Sequence, residues 1–469
     1  AGGYTPVALL KTASFEELCR RSAALPYEFP TSANRLRTHC GSSPMLRAEA
    51  EQHARLTRPL VHERAAALAW AFLKHKQRHG RPGELAVYNG MDLAGLFTRL
   101  LAKRPLVFMT SMDDFLLRDG RTRLADTSFE KIGTSREKPP LRLRDYQSYE
   151  EMELSALLAV SVPTHFINTG SRKNAGVAAE PGSYAAKGVY VALVGARFER
   201  TGRMEWRHML VTAQQNTPAN GYGAGAADPM LQRWAQLYGL THFPTFEEAQ
   251  EEGAPRFLGV RKQLKHLFDT KAYAGRCKLI AETFLLEAND RAEAAGASAF
   301  CHIVGLGLGV WQVHPVQMQI QVDAYAEAAA RLELAHVGEL YFSWFKGVSA
   351  CGGVGSGGRL PTAWGKHSLR VTFGKRDPAD PFEASEAQSG GKPRLLVAQY
   401  AWDSNAYPGN EYWTGLLTVS GDPAAACCSL IPELQNPDVN TEALAGQNVH
   451  VVLEGAAAVK RLKTDELFL

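Results

Sequence analysis

No apolar run in this 469-residue chain approaches the roughly 18 residues that a membrane-spanning helix needs, so no membrane is expected as a partner. The chain begins Ala1-Gly-Gly-Tyr4, without Met and without a basic-then-apolar leader pattern. It reads as a processed or recombinant start. Seven cysteines form an odd set with no Cys-x-x-Cys, and Cys427 and Cys428 are adjacent. That is neither a disulfide framework nor a zinc pattern, so reduced thiols and a cytosolic compartment are expected. Lys and Arg exceed Asp and Glu by only four, giving a net charge of +4. This does not favour nucleic acid or an anionic membrane, and suits an anionic small ligand held in one local site.

Catalytic signatures are also missing. Ser343 lacks a Gly-x-Ser-x-Gly elbow. His165, His302 and His314 have no metal-ligand spacing, so no metal is expected. Gly353-Val-Gly-Ser-Gly-Gly358 matches Gly-x-Gly-x-x-Gly, but Pro361 follows where a dinucleotide fold needs a helix. It reads as a flexible loop able to close over a ligand. No internal repeat or coiled-coil heptad occurs.

What is present is an ordinary globular composition, 45 % hydrophobic and 21 % charged. Residues 44–79 are rich in Ala, Leu, Arg and Glu and predict helix, so residues 1–83 are expected to form a mainly helical N-terminal region. From residue 84 short apolar runs alternate with helical stretches. Strands are expected at 85–88, 106–109, 165–167, 189–198, 209–212, 299–304, 337–345, 369–373, 395–400 and 450–453. Helices are expected at 93–103, 149–160, 256–294 and 315–334, the last opened by Pro315, with a polar, basic loop over 113–144. This alternation predicts an α/β fold, with helices on both faces of the sheet.

Three strand-to-loop transitions could carry chemistry. Ala299-Phe-Cys-His-Ile-Val304 runs into Gly305-Leu-Gly-Leu-Gly-Val-Trp311. Alternate glycines let the backbone approach a ligand and turn its N–H groups toward an anion, and the next helix adds its positive end. Gly305, Leu306, Gly307, Leu308, Gly309, Val310 and Trp311 are therefore candidate diphosphate contacts. In His165-Phe-Ile-Asn-Thr-Gly-Ser-Arg-Lys-Asn-Ala-Gly176, Asn168, Gly170 and Asn174 could line a ribose, or could simply form turns. In Ala401-Trp-Asp-Ser-Asn-Ala-Tyr-Pro-Gly-Asn-Glu-Tyr-Trp413, aromatics alternate with Asp403, Asn405, Asn410 and Glu411. That mixture suits a ligand site; the plainer reading is an aromatic turn packed on the sheet. On the helix after the glycine loop, Asp323 and Glu327 fall amid Val316, Ile320, Ala330 and Leu334 on one projected face. Acids there are either paired or functional.

Together these pieces resemble a macrodomain, in which an Asn- and Gly-containing loop wraps the distal ribose and a Gly-x-Gly-x-Gly-aromatic loop wraps the diphosphate of ADP-ribose. The closer resemblance is to the MavL-like branch, through Tyr146-Gln-Ser-Tyr-Glu-Glu-Met152, Val194-Gly-Ala-Arg-Phe-Glu199, the glycine loop, Phe342-Ser-Trp-Phe345 and Trp402–Trp413. The resemblance implies a macrodomain-like mixed sheet over residues 84–469 with a helical N-terminal extension. It implies removal of ADP-ribose from arginine side chains of a modified protein, ubiquitin being one such target, by a monomeric cytosolic enzyme. No cofactor is implied, ADP-ribose being ligand and product. The first loop lacks Asn-Ala-Ala-Asn and Gly-Gly-Gly, and no Glu-Glu pair stands beside it, which speaks against cleavage of poly(ADP-ribose). The catalytic carboxylates are expected at Asp323 first and Asp403 second, with Glu327 and Glu411 in reserve. Trp311 would pack near the distal ribose. Asp113-Asp114-Phe115 would take adenine, Asp114 on the exocyclic amine and Phe115 as stacking ring. The alternatives are a module that reads ADP-ribose without turnover, and a phosphatase acting on such phosphates.

Overall fold

The computed structural model describes residues 12–225, 228–260, 265–365, 367–403, 405–455 and 458–461. Its centre is an 11-stranded mixed sheet. Ten of its strands are labelled in chain order: β1 (Arg58–His62), β2 (Leu158–His165), β3 (Lys187–Leu193), β4 (Ser298–Ile303), β5 (Val337–Ser343), β6 (Arg359–Pro361), β7 (Ser368–Gly374), β8 (Lys392–Ala401), β9 (His450–Leu453) and β10 (Ala458–Arg461). The spatial order is β6-β7-β5-β4-β8-β3-β2-β1-β9-β10, and the short strand Gln388–Ser389 pairs onto β8. Strands β7, β5, β4, β8 and β3 run parallel, while β2 is antiparallel to both β3 and β1.

Four helices matter below: α1 (Glu63–His79), α2 (Thr270–Ala294), α3 (Val316–Ala329) and α4 (Gly421–Cys428). Successive side chains of a strand point to opposite faces. Gln399 of β8 bonds Tyr325 of α3. Its neighbour Tyr400 stacks edge-on against Tyr190, which meets Cys428 of α4 at 3.2 Å. Helices therefore cover both faces, as the alternating pattern predicted.

Several local expectations are corrected. Residues 44–79 are two helices, Pro44–Leu56 and α1, separated by β1. The stretch expected to be mainly helical thus supplies a strand to the central sheet. Pro59 stands opposite Val160 of β2, and pairing with β9 begins only at Leu60. Residues 85–88 belong to the helix Pro82–Tyr88. Pro82 occupies its first turn, and Glu84 accepts from Arg81 N at 2.9 Å; a four-residue apolar run could not distinguish this from a strand. The helix expected over 149–160 stops at Ser155 and β2 begins at Leu158. Strand β2 is buried almost throughout and so lacks the alternation that would reveal it. The helix expected over 256–294 begins only at Thr270, after strands Phe257–Gly259 and Leu267–Asp269; residues 261–264 lie outside the described residues. Within 113–144, Asp114–Leu116 and Arg123–Ala125 join Val107–Met109 in a small antiparallel sheet. Among the described residues, no helix is long and apolar enough to cross a membrane.

Candidate functional site

The parallel block brings three loops to one edge. Beyond the carboxyl ends of neighbouring strands β3, β8 and β4 lie residues 194–199, 402–413 and 305–311. Ligands of open α/β sheets sit at this edge.

The glycine loop is held from behind by α3. Gln321 accepts from Leu306 N at 3.1 Å and donates back to Leu306 O. A Cβ on Gly195 would lie 2.4 Å from the Leu306 carbonyl carbon, and one on Gly307 (φ +66°) would lie 2.9 Å from Ala196 O. The two glycines thus let the β3 and β4 loops press together. Among the described residues, no protein acceptor meets the backbone N–H of Gly307, Leu308, Gly309, Val310 or Trp311. Successive unclaimed amides are what an anion needs. The helix end contributes less than expected, because Val313 N and His314 N already donate to Gln317 Oε1, at 2.7 and 2.9 Å.

Trp311 is buried, and its Nε1 donates to Glu199 Oε2 at 3.4 Å. The same oxygen accepts from Arg197 Nε and Nη2, at 3.0 and 2.7 Å. Arg197 is buried, with its guanidinium 5.3 Å from the Phe108 ring and 5.8 Å from Trp311. Glu199 thus ties the β3 loop to the glycine loop and fixes a cation beside Asp403.

The 402–413 loop supplies the acids. Asp403 is half-buried and accepts from Asn410 Nδ2 at 2.7 Å. Burial pushes its carboxyl up to about 6, against the opposing pull of Arg197. Glu411 is raised to about 7, first by burial and then by the charge of Asp403. Asp422, in the first turn of α4, is pushed well above the usual range by burial and by both other acids. Asp403 thus raises Glu411, and both raise Asp422, so ionisation of all three together is disfavoured. Glu411 Oε2 and Asp422 Oδ2 are buried without a hydrogen-bond partner, as are both amide atoms of Asn405. Buried polar atoms rarely go unsatisfied, and a cluster of them at a strand end marks a place for a polar ligand.

The structure sorts the expected residues unevenly. Asp403, Asn410 and Glu411 come together, with Arg197 facing Asp403 from the β3 loop, and Asn405 is buried on the same loop as the acids. Asn410, however, clamps the backbone: its Oδ1 accepts from Phe108 N at 3.0 Å and its Nδ2 also reaches Phe108 O at 3.2 Å. It positions Asp403. Asp323 and Glu327 lie elsewhere. Asp323 Oδ1 accepts from Gln319 Nε2 at 2.9 Å and from Gly352 N at 2.8 Å, anchoring the glycine-rich hairpin at 350–355. Glu327 is exposed and pairs with Lys278 at 2.5 Å. The buried face of α3 is the one carrying Gln317, Gln321, Val322 and Tyr325, so the projected stripe through Asp323 is the half-exposed side.

Asn168, Gly170 and Asn174 follow β2, which is antiparallel to β3 and ends where His165 faces Lys187, yet the loop reaches back to Ala424 of α4, two residues from Asp422. The Asn168 amide donates to Val177 O and accepts from Gly170 N, each at 2.9 Å. Asn174 donates to Ser171 O and Ala424 O and accepts from Gly176 N. Both are turn-forming amides. Phe115 is 1 % exposed and packs on Phe129, so it offers no stacking face. Asp114 accepts from Thr110 Oγ1 at 2.8 Å. Asp113 is buried between Tyr149 and Arg200. Sequence reasoning missed Asp422, which stands in Ser-Gly-Asp-Pro and reads as a helix-opening turn, and it missed the individual roles of Arg197 and Glu199.

One group has metal-ligand proximity among the described residues: His62, Glu282 and Glu454. Arg64 and Arg331 already pair with Glu282, so cationic charge there is supplied by the protein.

A family model described as ADP-ribosylhydrolase MavL-like matches residues 16–463. Two Drosophila melanogaster proteins are similar along most of their length. One, named ADP-ribosylarginine hydrolase CG3568, is 37 % identical over 84 % of this chain and 77 % of its own length. The other, named ADP-ribosylarginine hydrolase CG2909, is 34 % identical over 95 % of this chain and 90 % of its own.

Proposed function

Since the chain belongs to the MavL-like ADP-ribosylhydrolase family, we propose that it hydrolyses the N-glycosidic bond between ADP-ribose and an arginine side chain of a modified protein. The arginine linkage is supported by the names of both relatives. The observation that carries the reading is the trio Asp403, Glu411 and Asp422, the last two with an unpartnered buried oxygen each, beside a loop of unclaimed amides.

The diphosphate lies on the amides of residues 307–311. The distal ribose then reaches the acids beyond β8, one strand away, about 5 Å. The adenosine end falls over β5, on the other side of β4. There Trp344 is 52 % exposed at φ +66°, held by its N–H to Gly374 O at 3.0 Å. A bulky side chain displayed from left-handed backbone suits a stacking platform, and Trp344 takes the adenine role first expected of Phe115. The macrodomain likeness is supported by the strand, glycine loop and helix; the Asn168 loop lends it no support.

Cleavage develops positive charge on the anomeric carbon as the guanidine departs. Asp403, ionised above about pH 6, faces that charge. Glu411, near 7, takes a proton from the attacking water. The hydroxyl joins the anomeric carbon, and the departing guanidine gains one proton overall, leaving guanidinium and ADP-ribose. Asp422, whose carboxyl burial and both neighbouring acids push upward toward the protonated form, holds the cluster's charge down.

The test is release of ADP-ribose from substrates linked through Arg, Ser or Glu. Release from the arginine linkage is expected, lost in Asp403→Asn and Glu411→Gln while ADP-ribose still binds. Binding without release from any linkage would make the protein a reader of ADP-ribose.

A further inference from the structure

A second surface adjoins the acids. Residues 415–420, Gly-Leu-Leu-Thr-Val-Ser, join Glu411 to Asp422. Leu416 N donates to Glu411 O at 3.2 Å, and Ser420 Oγ reaches Glu411 Oε1 at 3.5 Å. The loop is apolar, yet Leu416 and Val419 are 44 % and 54 % exposed. Leu417, between them, packs inward with Met109 on a minor core around Val107, Tyr412 and Trp413. Residues 110–113 follow Met109 directly, and Met112 among them is 53 % exposed. Thr110 and Asp113 in that loop take φ of +64° and +58°. Non-glycine residues hold such backbone at a cost, and it concentrates at binding sites.

Charge continues the surface. Residues 118–144 contain eight Lys or Arg and four Asp or Glu, an excess as large as the net +4 of the whole chain. Within this segment Arg121, Arg123 and Leu124 are exposed, on and beside the strand Arg123–Ala125. That strand is two hydrogen-bonded partners from Val107–Met109, which Asn410 clamps to the acid loop.

We propose that Met112, Leu416, Val419 and the basic hairpin dock the polypeptide carrying the modified arginine, an acceptor surface with apolar and acidic residues flanking that arginine. The inference rests on the hydrolase reading. With the diphosphate on the β4 loop and the adenosine over β5, the glycosidic bond at Asp403 leaves the peptide on the far side, where this surface begins. Apolar contact and charge complementarity then both favour an acidic acceptor.

The test compares two substrates of the full chain: free ADP-ribosyl-L-arginine, and an acidic protein carrying ADP-ribose on one arginine. The variants are Leu416→Ser with Val419→Ser, and Arg121→Glu with Arg123→Glu. All four side chains are exposed, so folding is spared. Each pair is expected to lower kcat/KM about tenfold on the protein substrate, mostly through KM, and to leave the free substrate within about twofold. Raising salt from about 0.05 to 0.5 M should slow wild type on the protein alone, and the charge-reversed variant less. Unchanged protein hydrolysis, or equal losses on both substrates, overturns the docking surface. A wild-type chain that releases ADP-ribose from neither substrate overturns the hydrolase reading, and this inference with it.

Discussion

Replacing Asp403 by Asn should stabilise the fold at alkaline pH while abolishing hydrolysis. An acid whose folded pKa is raised binds more protons folded than unfolded. Its ionisation therefore opposes folding; the penalty is absent below the unfolded pKa and complete above the folded one. For Asp403 the window runs from 3.8 to about 6. At about 1.4 kcal/mol per pH unit, that is roughly 3 kcal/mol at pH 8 and about 1 kcal/mol at pH 4.5. The carboxyl is half-buried, and solvent screening brings the alkaline figure to about 1–2 kcal/mol. Asn keeps the volume and an oxygen for Asn410 Nδ2, so packing should not mask the effect. Urea unfolding at pH 8 and pH 4.5 reads it directly. A gain of 1–2 kcal/mol at pH 8, falling to about a third at pH 4.5, is expected. A loss at pH 8, or a gain independent of pH, would refute the view that the cluster is held ionised against its surroundings.

Three further outcomes follow from the contacts. Gly307→Ala must place a Cβ 2.9 Å from Ala196 O at φ +66°; calorimetry should show ADP-ribose affinity lowered by about tenfold or more, with a stability loss of about 1–2 kcal/mol. Asn410→Ala removes both bonds to Phe108 and the one to Asp403; denaturation should show a loss of about 2–3 kcal/mol, and the pH–rate profile should move, because Asp403 loses a donor that favours its ionised form. Asn168→Ala should cost about 1–2 kcal/mol of stability and leave ADP-ribose affinity within twofold, since its amide serves Val177 and Gly170; a large loss of affinity would return that loop to the site.

The setting of the glycine loop was legible because it is local. A strand, alternate glycines and a helix are all contiguous, and the sheet confirms their order. The Asn168 loop looked equivalent by the same local standard, a strand running into a polar loop. What differed was strand direction. Whether β2 runs with or against β3 decides the edge from which the loop sets out, and its reach to Ala424 of α4 is equally long-range; nothing within residues 165–176 encodes either. Long-range strand pairing set that outcome, as it set the place of β1 inside a stretch that otherwise reads as helix.

The acids show the same division in energetic terms. A projection of α3 placed Asp323 among Val316 and Ile320 and made it look buried and costly. The real core face of that helix is lined by Gln317, Gln321 and Tyr325, polar groups that bond residues 306 and 313–314, α2 and β8. Polarity was thus a poor guide to exposure here, since the buried stripe is the amide-bearing one. Asp323 has two donors on one oxygen, whereas Glu411 and Asp422 each leave a buried oxygen without a donor. A carboxylate already satisfied by its own fold is a structural device. One desolvated and left unsatisfied is stable only if a substrate or water completes it, and that difference, invisible in spacing, is why the proposed chemistry is assigned to the loop after β8 rather than to α3.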